Sequence, residues 1–234
     1  MNPHIPILLL LLLSQPTYAD LIILQDNGIT HETAPLSGFS TEGDDMAGMT
    51  VEVTFSDLSR ELRVWAATSP GSGGAFGTGW QITQGAGSTW SNPFAFSNTG
   101  ALSVTKFTLH GAPANTVFDR SFAGAGTPTS ANGRDIFEFG SSITLSQDVT
   151  ATYFDQVQLP GETPVGDLFA GLEVRFADGL SNGQAFRFIT DTDTGGSNLI
   201  VPEPSGVTAV CLSLGAILHR RRNRVCSTRA ARKA

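Results

Sequence analysis

A chain of 234 residues with 26 glycines, two cysteines and a formal charge of −7 is long enough for one domain with a real core. Its wealth of Gly, Thr, Ser and Phe favours strands and turns over helices. All 21 acidic residues fall between Asp20 and Glu203, where the only basic residues are Arg60, Arg63, Lys106, Arg120, Arg134, Arg175 and Arg187, so this middle carries −14. Such a surface repels phosphate backbones and excludes nucleic acid as a partner. Both cysteines, Cys211 and Cys226, lie in the last quarter of the chain, so neither a disulfide framework nor a thiolate metal site holds the middle together.

Residues 5–13 are almost wholly apolar and end at the breakers Ser14, Gln15 and Pro16. The run is too short for a bilayer, which needs ~20 residues, and suits the core of a signal peptide. Thr17-Tyr18-Ala19 places a small residue at both positions that a signal peptidase reads. Cleavage is expected after Ala19, which makes residues 1–19 a signal peptide although its n-region holds only the terminal amine and His4.

Residues 20–200 read as the exported domain. In 50–55, Val51, Val53 and Phe55 share one face, and 61–65 alternates again beyond the Asp57-Leu58-Ser59 turn, which predicts a hairpin. Residues 69–90 carry seven glycines, with no phosphate-cradle spacing ahead of a helix, and read as an exposed loop. In 101–109 the apolar phase shifts from Leu102 and Val104 to Phe107 and Leu109, which predicts a bulge near Lys106. Three more strands are expected in 142–154, 171–176 and 184–190. In the last two, Leu172, Val174, Phe176, Phe186 and Phe188 face inward while Glu173, Arg175 and Arg187 face water. About ten strands with Gly-rich turns predict an all-β fold, an antiparallel β-sandwich of jelly-roll-like type.

Three features of the domain invite a site. Of its tryptophans, Trp80 and Trp90 stand beside glycines and are the candidates for stacking a sugar ring, with core packing as the competing role of any Trp in a sandwich. Asp191 and Asp193 begin an alternating run of oxygen donors suited to calcium, but position twelve is Pro202, so a closing carboxylate is missing and an acidic linker is the simpler account. Glu42, Asp44 and Asp45 read as a solvated turn. Catalytic patterns are missing: His31-Glu32 has no second histidine, and no serine lies in a nucleophile elbow. No cofactor is expected, with calcium the one ion considered. Paired carboxylates for glycoside cleavage leave no trace that sequence alone can show.

The tail has three parts in order. Val201-Pro202-Glu203-Pro204-Ser205 is held extended by two prolines around one residue. Residues 206–218 are apolar and small, and as a helix they rise only about 20 Å, short of the ~30 Å hydrocarbon core. Arg220, Arg221, Arg222 and Arg224 then form a basic stop on the cytoplasmic side. This arrangement, over 201–224, resembles the PEP-CTERM sorting signal of Gram-negative bacteria. The resemblance implies that Pro202, Glu203 and Pro204 are recognised by an exosortase. It also implies that the arginines retain the chain in the inner membrane until the tail is removed and the protein passes to the cell surface or the extracellular space. The cytoplasmic extension 225–234 departs from the family habit of ending soon after the arginines. Proteins of this family commonly accompany exopolysaccharide, which implies a non-enzymatic structural or adhesive surface role. A lectin-like carbohydrate-binding module and a glycan-active hydrolase are the alternatives.

Overall fold

The computed structural model describes residues 21–33, 36, 40–130, 133–140 and 148–195. The expected signal peptide 1–19, the expected sorting tail from Val201 with Pro202, Glu203, Pro204 and its arginines, and the first part of the 142–154 segment lie outside the described residues. Among the described residues fifteen strands are seen: β1 (Leu21–Asp26), β2 (His31–Glu32), β3 (Thr50–Phe55), β4 (Arg60–Val64), β5 (Ala66–Ser69), β6 (Ser72–Gly77), β7 (Trp80–Gln84), β8 (Phe94–Asn98), β9 (Val104–His110), β10 (Thr116–Asp119), β11 (Phe137–Glu138), β12 (Val149–Gln158), β13 (Leu168–Leu180), β14 (Ala185–Ile189) and β15 (Asp191–Thr194). The only helical element among them is a short 3-10 turn, Ala112–Ala114, and no described helix is long and apolar enough to cross a membrane.

Two sheets form. The larger runs β1-β12-β13-β9-β3-β4, with β10 beside β13 and β15 and with β2 beside β12; the smaller runs β11-β14-β8-β7-β6-β5. All pairings are antiparallel except those of β1 and β2 with β12, which are parallel. The fold is a β-sandwich. Its core is where the inward halves of alternating strands meet: Val51 and Val53 of β3, Phe107 of β9 and Val174 and Phe176 of β13 on one side, Phe94 and Phe96 of β8 and Phe186 and Phe188 of β14 on the other.

The predicted hairpin is β3–β4, closed at Leu58 in a left-handed conformation (φ 68°). The predicted bulge is also present. Thr54 of β3 pairs with Lys106, and Phe55 pairs with Val104, so Thr105 is the extra residue.

The glycine-rich stretch is a correction. Half of it is not an exposed loop but β6 and β7, two strands of the smaller sheet. The glycines within β6 are there for close approach, not for flexibility. A Cβ on Gly73 would lie 2.1 Å from the carbonyl oxygen of Gly43 and 2.3 Å from Trp65 Nε1. Trp65 fills that space, and its Nε1 donates to the same Gly43 oxygen at 2.7 Å. Gly77 is likewise bare because the Trp80 indole lies against it, 2.1 Å from where a Cβ would stand.

Candidate functional site

The outward face of the larger sheet can be read from strand register, because residues paired across strands share a face. One row runs Asp26, Phe154, Gly171, His110, Thr50 and Val64 across β1, β12, β13, β9, β3 and β4. The next runs Leu24, Thr152, Glu173, Thr108, Glu52 and Leu62, and a third runs Ile22, Thr150, Arg175, Lys106, Thr54 and Arg60. The edges are exposed and apolar, with Ile22 and Leu24 on β1 and Leu62 and Val64 on β4. The middle is polar and charged.

Phe154 is the exception within that middle. Its ring lies over Gly171, and a Cβ there would stand 2.0 Å from Phe154 Cζ. The His110 ring meets it edge-on, 5.5 Å between centroids. A depression of about 370 Å³ opens beside the ring, lined also by Asp26, Glu52, Lys106, Thr108, Thr152, Asp155 and Glu173. A second, of about 350 Å³, shares His110, Phe154 and Asp155 and reaches His31 and Pro113. Asp155 is aimed into this region by an irregularity. Four residues, 27–30, span the gap between β1 and β2 while β12 advances by two, and Asp155 takes a left-handed conformation (φ 57°). Its Oδ1 accepts from the Ile29 amide at 3.0 Å.

The charges on this face are mostly committed to one another. Lys106 Nζ donates to Glu173 Oε2 at 2.6 Å, and Arg175 Nη2 donates to Glu173 Oε1 at 2.9 Å. Burial alone would raise the Glu173 pKa, but these two hydrogen bonds outweigh it and hold the carboxyl below its ordinary value. Burial lowers the pKa of His110 from 6.5, against the pull of Glu52 and Asp155, so its ring is neutral at neutral pH. An aromatic face ringed by hydrogen-bonding groups is suited to holding a ligand with apolar faces and polar edges. Glu173 itself is a poor proton donor.

The tryptophans fall elsewhere. Trp65 is 1% exposed and Trp80 3%, whereas Trp90 is 38% exposed. Trp80 therefore offers no stacking face. Alternation on β7 sends it inward with Ile82, where it stacks on Phe96 at 6.0 Å and its Nε1 donates to Glu61 Oε2 at 2.6 Å. Trp90 keeps an exposed part, but the Arg134 guanidinium sits 4.3 Å over its ring and donates to its carbonyl oxygen at 2.7 Å.

Asp191 and Asp193 also depart from expectation. They are neither linker nor loop but β15, paired with β10. Around β15 lies a buried carboxylate network. Ser130 Oγ is 2.5 Å from Asp119 Oδ2 and 2.5 Å from Asp193 Oδ2. Asp167 accepts from the Thr127 amide at 2.5 Å and from its hydroxyl at 2.6 Å. One serine hydroxyl carries one proton, so two carboxylates on it need a second proton between them. Burial, with the neighbouring carboxylates adding to it, pushes Asp119 up to about 8, and burial pushes Asp191 to about 7 and Asp193 to about 6. Glu42, Asp44 and Asp45 do sit in a turn, where Asp45 Oδ2 accepts from the Glu42 amide and Asp44 Oδ2 from the Gly71 amide. Among the described residues no group of three His, Cys, Asp or Glu side chains is placed to hold a metal ion.

Neither a scan against protein-family models nor searches of curated proteins and of solved structures find a match. The site therefore stands on its geometry alone. Sequence reasoning passed over Phe154, His110 and Asp155. One signal was there: on a strand that buries Val149, Ala151 and Tyr153, Phe154 is an aromatic on the face that alternation assigns to water.

Proposed function

We propose that this is an exported surface or extracellular-matrix protein, processed by an exosortase at Pro202-Glu203-Pro204, with a non-enzymatic adhesive role toward extracellular polysaccharide. Its route runs through signal peptidase and an inner-membrane intermediate to the cell surface or beyond. What supports the route is the order of signals at the two ends of the sequence. What supports the adhesive role is one observation on the domain: Phe154 laid over Gly171 in a polar depression, an aromatic platform of the kind that stacks sugar rings. A lectin-like module is thus the molecular form this role takes. A glycan hydrolase has less support, because it needs a carboxylic acid with a raised pKa and Glu173 is held low. No cofactor belongs to the proposal. The jelly-roll likeness belongs to it too. Repeated passes of the chain between the sheets favour that likeness, while the meander β5-β6-β7-β8 within one sheet departs from a double Greek key.

Two experiments test it. On a glycan array the full chain is expected to bind, and Phe154→Ala to weaken that binding roughly tenfold, about 1.4 kcal/mol, with an unchanged melting temperature. Equal binding by the variant, or no binding to any glycan, refutes the adhesive reading. For the route, an epitope tag placed after Ala234 is expected to be lost from the surface-exposed protein. Retention of the tag on the whole surface pool refutes processing.

A further inference from the structure

We propose that the ligand of this face is an amino-sugar polymer, whose ammonium groups are held among Phe154, Asp155, Asp26 and His31. The inference rests on the glycan reading and goes beyond it by naming the sugar class. Charge is the first argument. The larger depression is lined by Asp26, Glu52, Asp155 and Glu173 and by a single ammonium, Lys106. Glu173 is held by that ammonium at 2.6 Å and by Arg175 at 2.9 Å, and Glu52 is paired with Arg60 at 3.3 Å, which leaves Asp26 and Asp155 as the carboxylates that give the depression its negative potential. A uronate-bearing chain is repelled there and a cationic one is drawn in.

Unmet acceptors are the second argument. Among the described residues neither Asp26 nor Asp155 is ion-paired with a lysine or arginine. His31 is 7% exposed and lines the second depression, and its Nδ1 has no hydrogen-bond partner among the described residues. Its Nε2 stands 3.7 Å from Asp155 Oδ2, too far for a hydrogen bond. A carboxylate and an imidazole so placed are two acceptors waiting for one group with several donors. An ammonium has three and no lone pair. The ring of Phe154 supplies the third element, since a cation is attracted to an aromatic face. A neutral acetamide carries no charge for the ring or the carboxylates to attract, so the site distinguishes an amine from its N-acetylated counterpart.

The test compares short oligomers of glucosamine, N-acetylglucosamine and mannuronate on the full chain, by calorimetry just below neutral pH and at low salt. The glucosamine oligomer is expected to bind at least tenfold more tightly than the other two, and to weaken as salt rises. Asp155→Asn is expected to remove that preference; asparagine tolerates the left-handed backbone at this position, so the fold is kept. Glu138→Gln, an exposed change on the smaller sheet, is expected to leave binding untouched. If Glu138→Gln weakens binding as much as Asp155→Asn, the attraction is a general one between a polycation and an acidic protein, and the inference fails. Equal or tighter binding of N-acetylglucosamine or mannuronate oligomers, lost in Phe154→Ala, also overturns it but leaves the glycan reading standing. Binding of none of the three overturns it as well, and if no other glycan binds, the adhesive reading falls with it.

Discussion

Phe107→Ala is expected to lower the free energy of unfolding by about 3–5 kcal/mol, the usual cost of emptying a buried phenylalanine site. Phe107 belongs to β9, in the middle of the larger sheet, and no part of it reaches water. Its ring stacks on Phe96 of β8 at 4.6 Å and on Phe188 of β14 at 5.8 Å, and it tilts against Phe176 of its own sheet at 6.0 Å. It is therefore the ring through which the two sheets touch at the centre of the sandwich. Truncation removes its own transfer energy and leaves a cavity whose walls belong to four strands tied into two sheets. Such walls collapse poorly, which puts the cost toward the upper end. Urea denaturation reads this as a lower midpoint with an unchanged slope. Phe139→Ala is the control: Phe139 is 42% exposed, and its loss is expected to cost within about 0.5 kcal/mol. A Phe107→Ala loss no larger than that of Phe139→Ala removes the ring from the role of keystone.

Raising the pH is expected to destabilise the domain, which is unusual for a protein this acidic only in its cause. Net repulsion among surface carboxylates is screened by salt, whereas the effect here comes from buried groups. Asp119, Asp191 and Asp193 have folded pKa values raised above 3.8, to about 8, about 7 and about 6, with burial the first cause in each. A raised value means that the folded state holds protons the unfolded state has released. The stability they contribute is complete below the unfolded pKa of 3.8. It is lost as pH climbs, and the loss is complete once the pH passes the Asp119 value near 8. A tenfold change in proton affinity is worth about 1.4 kcal/mol, so the decline is on the order of a few kcal/mol after the carboxylates' mutual coupling is allowed for. Melting scans from about pH 5 to about pH 9 should show it, and added salt should not abolish it. In Asp119→Asn the amide is neutral at every pH and its oxygen can still accept from Ser130, so the steepest part of the decline, toward pH 8, is expected to vanish. A melting temperature that is flat or rising over that range, or a variant that declines like the parent, would overturn the account of the network.

This network shows well where sequence reasoning stopped. Asp191-Thr192-Asp193-Thr194 has the composition of a solvated linker, and its position just before the proline-rich Pro202-Glu203-Pro204 favours that reading. What reverses it is β10. Thr116–Asp119 offers a free edge, and the pairs Val117–Asp193 and Asp119–Asp191 carry Asp193 inside with Asp119 and leave Asp191 half-buried beside them. A carboxylate buried beside others is stable only as a proton-sharing group, and no local pattern announces that. The glycines of β6 mislead for a similar reason. A glycine that accommodates an indole from a different strand looks the same in sequence as a glycine that loosens a loop. Trp80 follows them: beside glycine it looks exposed, yet the β7 alternation that buries Ile82 buries it too.

Other elements were legible because their cause is local. The β3–β4 hairpin and the inward faces of β13 and β14 follow from period-two alternation, and the bulge at Thr105 follows from the break in that period. The partition of charge and cysteine marks the acidic middle off from the basic tail without any fold at all. The face built around Phe154 depended on tertiary pairing. Alternation along 149–154 carries the information that Phe154 lies on the face opposite Val149, Ala151 and Tyr153. Only the pairing of β12 with β13, and of β13 with β9, decided that Gly171 lies beneath its ring and His110 beside it. Pairing between strands so far apart in the chain is set by how the whole core packs, and that turns one outward aromatic into a platform.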